Sequence, residues 1–552
     1  MKKKIKTTLF VFIIIGVIVL NITYKNKNEV TKTKQRNQNN LAIMIKGDSG
    51  EYVSSNEIPK GNYVLNEEKT ICENGGKVVS YNNLTGQIGF SFLGSDRCSL
   101  YFDKIIDTQK PVISNLKING KTITATLTDN QSLLAYGFST SNTIEPTSWT
   151  SISGKTYNLN TAINTEGIYY LWVKDNTGNV IISDVLDARL EGWKTILINN
   201  GNGAATVDAA KAYIEGKTTS TTPNFSTVAT TNEGMYSAPD DLGTSYYFRG
   251  AVDNNWLKYG KYTKDMYNCN NGTISATDTG NSCTKIASSG DDMYWRIIRI
   301  NGDNSIRMIY SGVTPPTEST KVIKTEDTSL GNSPFNANRD KAEYVGYMYT
   351  IKEQHGTSKS SDIKTYLDNW YANYTDLNKT GTKITDQIYC NDRTASTSNV
   401  SYSTANYTTL TSWNSKGTLY FYGANGRINK DNNPMLTCAV DSDRFTVNKI
   451  NGKGNSALTY PIGLITIDEV EMAGNNFNES VKSHYLYTGA HYWTGTPAAF
   501  DGDFSFEYSA MDESGFSMSD AGIRFAARGV VSLSSESKLL GSGTYNDVYT
   551  VN

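Results

Sequence analysis

Tyr294-Trp295-Arg296-Ile297-Ile298-Arg299-Ile300, then Asn301-Gly302-Asp303-Asn304, then Ser305-Ile306-Arg307-Met308-Ile309-Tyr310 is the most legible stretch of the chain. Two runs of β-branched and aromatic residues flank a cluster that favours tight turns, so the segment reads as a β-hairpin. Further on, Ile363, Tyr366, Leu367 and Trp370 fall at i, i+3, i+4 and i+7 and give a helix one apolar face. Thr466-Ile467-Asp468-Glu469 spells a capping box, and the helix it opens is predicted to stop at Gly474. Upstream, residues 193–198 and 204–214 read as helices, the second alanine-rich and closed by Gly216. Downstream, residues 485–552 return to short strands and turns. The C-terminal part is therefore expected to be an α+β head whose core rests on Trp295 and Trp370.

Moving toward the N-terminus, Asp107-Thr108-Gln109-Lys110-Pro111 marks a boundary. Beyond it, residues 112–118, 121–127, 134–138, 168–174 and 180–185 alternate like strands. Before it, residues 43–102 break into short apolar stretches divided by turn clusters such as Lys60-Gly61-Asn62, which predicts a small β module. Residues 26–40 are rich in Lys, Asn, Thr and Gln without apolar periodicity and read as a flexible stalk.

Residues 9–22 form an apolar run broken only by Asn21, with Lys2, Lys3, Lys4 and Lys6 ahead of it and Lys25 and Lys27 behind. The run is slightly short of the roughly 20 residues that span a bilayer, a deficit that snorkelling lysines make up. Val19-Leu20-Asn21-Ile22-Thr23-Tyr24 offers no small-x-small cleavage site, and no cysteine precedes Cys72. An uncleaved signal anchor is the favoured reading, with a cleaved signal as the alternative; both export the chain. The positive-inside rule puts the lysine cluster in the cytoplasm and the bulk outside, as a single-pass membrane protein.

Composition narrows the function classes. Of 552 residues, 19% are charged and the net charge is −2, without the basic excess that a phosphate-tracking surface needs. Nucleic acid is thereby excluded as a partner. With 36 Tyr against 17 Phe, 46 Gly and only 11 Pro, the chain reads as β-rich with many turns. Its six cysteines fall into local pairs, Cys72 with Cys98, Cys269 with Cys283 and Cys390 with Cys438. Paired bridges and buried free thiols both fit that count. None forms Cys-x-x-Cys or lies close to His355, His484 or His491, which argues against structural zinc.

Two resemblances sharpen the picture. Residues 107–190, closing with Lys174-Asp175-Asn176-Thr177-Gly178-Asn179, resemble bacterial immunoglobulin-like repeats of surface proteins. Asp175 and Asn179 raise calcium, but a tight turn explains them without an ion. Residues 234–552 resemble the C-type-lectin-like domains, related to formylglycine-generating enzymes, of Gram-positive surface proteins. The matching pieces are Tyr294 to Arg299 of the hairpin, Gly463-Leu464-Ile465-Thr466, Asp468-Glu469-Val470, Tyr492-Trp493-Thr494, Gly522-Ile523-Arg524, Val530-Val531-Ser532-Leu533 and the ending Gly541 to Asp547. One departure is Arg528-Gly529, where an Arg-Pro commonly stands. The oxidase activity is not implied, because the C-terminal cysteines that hold copper in those enzymes are missing after Cys438.

The expected order is thus a cytoplasmic tip and signal anchor (1–25), a stalk (26–42), the small β module (43–106), an immunoglobulin-like β-sandwich (107–190) and a C-type-lectin-like α+β head with a helical entry segment (191–552). No phosphate loop, Gly-x-Ser-x-Gly or His-Glu-x-x-His motif occurs. Ligand contacts are expected from Tyr492, Trp493, Asp501, Asp503, Glu507 and Asp512, as aromatic platforms and sugar- or cation-binding oxygens on loops. Tyr485, Tyr487 and His491 belong to the same aromatic group, and core packing is the competing reading for it. For the acids, a solvated loop face competes. Hydrolysis of glycans by the cluster from Asp501 to Glu513, or a purely structural envelope role, are the alternatives to non-catalytic recognition of a glycan, peptide or surface-protein ligand. No cofactor is required; Ca²⁺ is admitted.

Overall fold

The computed structural model describes residues 40–47, 49–92, 94–278, 282–397, 420–477, 482–512 and 515–551. The apolar run of residues 9–22, residues 26–39 of the expected stalk and Glu513 lie outside the described residues, whereas residues 40–42, expected as the end of the stalk, are paired in the strand Asn40–Lys46. Among the described residues no helix is long and apolar enough to cross a membrane. With 39% strand against 12% helix, the chain is mainly β and built from many sheets. It divides into two compact units, one comprising residues up to 117, 124–160 and 169–185, the other residues 118–123, 161–168 and 186 onward.

The first unit opens with Asn40–Lys46 running parallel to Arg97–Lys104, which also pairs with Tyr63–Leu65 and Ile71–Cys72. Along Arg97–Lys104 the buried positions alternate, Cys98, Leu100 and Phe102 facing inward. A core this thin is stapled by the disulfide between Cys72 and Cys98, residues that face each other directly across the ladder. After the connector, Leu133–Ser139 and Ile168–Asp175 pair antiparallel and carry Thr150–Ser151 and Val180–Ile182 on their outer edges. Val112–Asn119, Thr122–Thr128 and Thr156–Ala162 form a separate three-stranded sheet.

In the second unit the expected hairpin is central. Asp292–Ile300 and Ile306–Tyr310 pair with Trp295 opposite Tyr310, around a turn in which Asn304 adopts φ of 68°. Asp292–Ile300 continues outward to Trp256–Lys261, and Ile306–Tyr310 to Val530–Leu533, within a nine-stranded sheet. Nearly every side chain of the two hairpin strands is buried, so both faces of the sheet are covered. The helix Asp362–Tyr374 lays Ile363, Tyr366, Leu367 and Trp370 into the same core, where Tyr310 meets Trp295 and Trp370 edge-on at 5.7 Å each. A second sheet of six strands is built around Tyr492–Phe500, Ser505–Asp512 and Gly515–Asp520.

Two expectations need adjustment. The alanine-rich helix runs Val207–Ser220 and passes through Gly216 rather than ending there. Gly216 lies on the solvent side, where a helical glycine costs only about 1 kcal/mol, and the following turn is anchored by Thr218, whose hydroxyl accepts from the Ser237 N–H at 2.9 Å. The Arg528-Gly529 corner is well defined without proline. A Cβ at Gly529 would press within 3.1 Å of both Trp370 and Ile462, and the Gly529 carbonyl accepts from the Tyr310 N–H at 2.9 Å. All six cysteines are bonded, in the pairs Cys72–Cys98, Cys269–Cys283 and Cys390–Cys438.

Candidate functional site

Arg299 and Arg307 stand directly opposite each other on the two hairpin strands, and both are buried. Like charges facing across a ladder repel, so an acid must come between them. Glu469 does so. It is the third residue of the helix Ile467–Met472, and the Thr466 capping box aims it back toward the sheet. Its Oε1 lies 2.8 Å from Arg299 Nε and 2.6 Å from Arg307 Nε, while Oε2 accepts from the Thr466 N–H at 3.0 Å. Burial pushes the Glu469 carboxyl up, but Arg307 and Arg299 outweigh it and hold it down at about 2.

The neighbouring residues extend this network into a charged cleft. Arg299 also pairs with Asp240 at 2.8 Å. Arg427, on the helix Gly423–Asn429, forks onto Asp468 through Nε and Nη2 at 2.7 and 3.0 Å and reaches Asp392 at 3.2 Å. Asp241 receives Arg444 at 3.0 Å and the Cys438 N–H at 2.9 Å. Thr466, Thr496 and Gln387 add neutral polar groups to the wall, and Leu242, Met435 and Leu436 supply apolar edges. The lining holds five carboxylates, of Asp240, Asp241, Asp392, Asp468 and Glu469, against three guanidiniums. It contains no histidine, and its only cysteine, Cys390, is bonded to Cys438. His484 is buried and neutral, driven down to about 3 by burial and by Arg528; His355 contacts Asp443 at 3.0 Å; His491 stacks on Phe525. The cleft thus offers paired charges and hydroxyls, with the Thr466 hydroxyl 3.4 Å from Glu469 Oε2.

The expected contact residues lie elsewhere. Tyr492 and Trp493 are wholly buried, a correction to their reading as stacking platforms. Trp493 Nε1 donates to the Ser333 carbonyl at 2.8 Å, and Tyr492 lies under the Arg528 guanidinium. Tyr485 and Tyr487 are buried with them. Glu507 is wholly buried too, on a strand between Pro497 and Ser519, which removes it from the acidic loop. Asp501 folds back on its own turn, its Oδ1 accepting from the Asp503 and Phe504 N–H groups, and Asp503 is exposed beside it. Asp512 ends the strand Ser505–Asp512, about 25–30 Å of extended chain away from Asp503. The structure does not gather these acids into one site. The capping box pointed toward Glu469, but no sequence signal joined it to Asp240, Asp392 or Arg427, which approach from distant segments.

No protein-family model matches the chain, and no curated protein resembles it. Among solved structures, one similar chain is the Bacteroides ovatus mixed-linkage glucan utilization locus (MLGUL) SGBP-B in complex with mixed-linkage heptasaccharide, at 11% identity and a TM-score of 0.10. The likeness covers 51% of this chain and 63% of that one, and at this TM-score it carries no argument.

Proposed function

We propose that the chain is a membrane-anchored surface protein whose C-type-lectin-like head binds a neutral polar ligand, a glycan foremost, without catalysis, raised on an immunoglobulin-like spacer. The observation that carries this reading is the charge balance of the cleft. Its arginines are already matched by carboxylates, and the acids exceed them. Such a lining repels phosphate or a sugar acid, and its cavity of about 30 Å³ admits single hydroxyls of a neutral sugar held at the mouth rather than a whole ring. Residues 9–22 with their flanking lysines support the anchor, and three disulfides suit an oxidising, external compartment. Burial of Glu507 removes one carboxylate from the Asp501–Glu513 cluster on which the hydrolase alternative rests.

A glycan array probed with residues 40–552 tests the proposal, with retention of neutral over acidic glycans expected. Asp392→Asn should weaken the retained ligand by about 1.5–3 kcal/mol, the worth of a charged hydrogen bond. Because Asp392 is buried against Arg427, the variant's melting temperature should fall too, so affinity is read where the variant is fully folded. No retained glycan, or an affinity indifferent to Asp392→Asn, would leave the cleft as a structural ion-pair network and favour the envelope-scaffold reading.

A further inference from the structure

Three aspartates converge in the first unit, far from any role in the head reading. Asp107 belongs to the connector that follows Arg97–Lys104, Asp129 directly follows Thr122–Thr128, and Asp175 ends Ile168–Asp175. One carboxylate oxygen from each lies within 4.8 Å of those from the other two. Asp175 is oriented by its own turn, with Oδ2 accepting one hydrogen bond and keeping capacity for a second partner. Its Oδ1 accepts from the Thr177 and Asn179 N–H groups, and its Oδ2 from Asn179 Nδ2, which accounts for Asn179 as a turn residue. Asp129 is different. It is 92% buried, its Oδ1 accepts from the Gln131 N–H, and its Oδ2 is buried with no hydrogen-bond partner. Asp107 repeats the pattern: Oδ1 accepts from Gln109 and Asn130, and Oδ2 is buried and unpartnered. Among the described residues, no lysine or arginine lies within ion-pairing distance of any of the three.

Three carboxylates held together, two with desolvated oxygens left over, form an arrangement that repels itself unless a cation enters. The donors are all hard oxygens, which excludes the soft metals and favours calcium or magnesium. Three oxygens that lie within 4.8 Å of one another share a central point no more than about 2.8 Å from each, so an inward shift of a few tenths of an ångström brings them to the roughly 2.3–2.6 Å of calcium. Three protein oxygens also leave room for the carbonyls and waters that fill a shell of 6–8, where calcium is more tolerant of irregular geometry than magnesium.

We infer that Asp107, Asp129 and Asp175 form a calcium site that fastens the connector of residues 105–111 to two strand ends of the following module. Calcium then sets the stiffness of this part of the spacer, whatever the head binds.

The test uses the full chain in detergent, stripped with EGTA and titrated by calorimetry with CaCl₂ and, separately, MgCl₂. One saturable calcium site is expected, with Kd on the order of 10⁻⁴–10⁻³ M as in extracellular modules. Bound calcium should slow tryptic cleavage at Lys104 and Lys110. Asp129→Asn should weaken calcium at least about tenfold, yet melt at or above the parent without calcium, because one of three repelling charges is gone. Asp107→Asn, a change at a less buried position, should do the same and stands in if the first variant fails to fold. No saturable calcium, or calcium binding that both variants leave unchanged, overturns the site. Equal affinity for magnesium overturns its assignment to calcium.

Discussion

Glu507 and Glu469 are both buried glutamates of the second unit, and their surroundings give them opposite pH behaviour. Burial drives the Glu507 carboxyl well above the ordinary range, with Arg393 offsetting only part of it, and neither oxygen finds a hydrogen-bond partner. A folded-state pKa raised above the unfolded one gives stability that is present below about 4.5 and lost as pH rises. The neutral isostere Glu507→Gln should therefore melt higher than the parent at pH 8, by about 1–3 kcal/mol, with the gap closing toward pH 4. A variant no more stable than the parent at pH 8 would mean that Glu507 is not held as a neutral acid. For Glu469 the sign reverses. Its folded pKa of about 2 lies below the unfolded value, so its stability is present above about 4.5 and lost as pH falls toward 2. Glu469→Gln removes the anion between Arg299 and Arg307, leaving Asp240 on Arg299 and no carboxylate on Arg307, and should cost about 3–5 kcal/mol at pH 7. Thermal unfolding across pH distinguishes the two. Glu507 was not legible in sequence: Ser505-Phe506-Glu507-Tyr508-Ser509 alternates like a half-exposed strand, yet its polar face is covered as well, with Ser509 bonded to Ser519.

Among the elements, the hairpin and the Trp370 helix were the best-signalled parts, because their side-chain spacing alone dictates which face is apolar. Trp295 Nε1 donates to the Tyr259 carbonyl and Trp370 Nε1 to the Tyr262 hydroxyl, so both rings are fixed by packing and by a polar tether. Trp295→Ala and Trp370→Ala should each cost about 3–5 kcal/mol, measured by urea unfolding. A loss below about 1 kcal/mol in both would show that the core does not rest on them. Less legible was how separate segments meet at the cleft. The disulfide Cys390–Cys438 performs part of that gathering, since residues 390–393 deliver Asp392 toward Arg427 and Arg393 onto Asp443 at 2.8 Å. Proximity in sequence suggested the pairing without deciding it against free thiols, and its place beside the charged network arises from long-range packing that no local pattern encodes.

For the whole molecule, the anchor reading rests on the N-terminal sequence, which lies outside the described residues. Residues 2–6 carry four lysines, residues 9–22 are nearly devoid of polar groups, and residues 26–40 contain nothing to build a core. If that apolar run is an uncut anchor, everything from residue 40 onward stands outside the cell on a polar tether. Trypsin added to intact cells should then cut within the tether, which offers Lys25, Lys27, Lys32, Lys34 and Arg36, and release a fragment containing both folded units. The disulfide-bonded units should resist the same exposure, since their backbones are held in ladders and their cores are closed. Mass spectrometry of the released fragment and of the membrane-retained peptide reads the result directly. Retention of Lys2 to Lys6 in the membrane fraction is the expected outcome. A mature protein beginning just after about residue 24, recovered from untreated cells, would replace the anchor by a cleaved signal, and a fragment released only after cell lysis would reverse the topology.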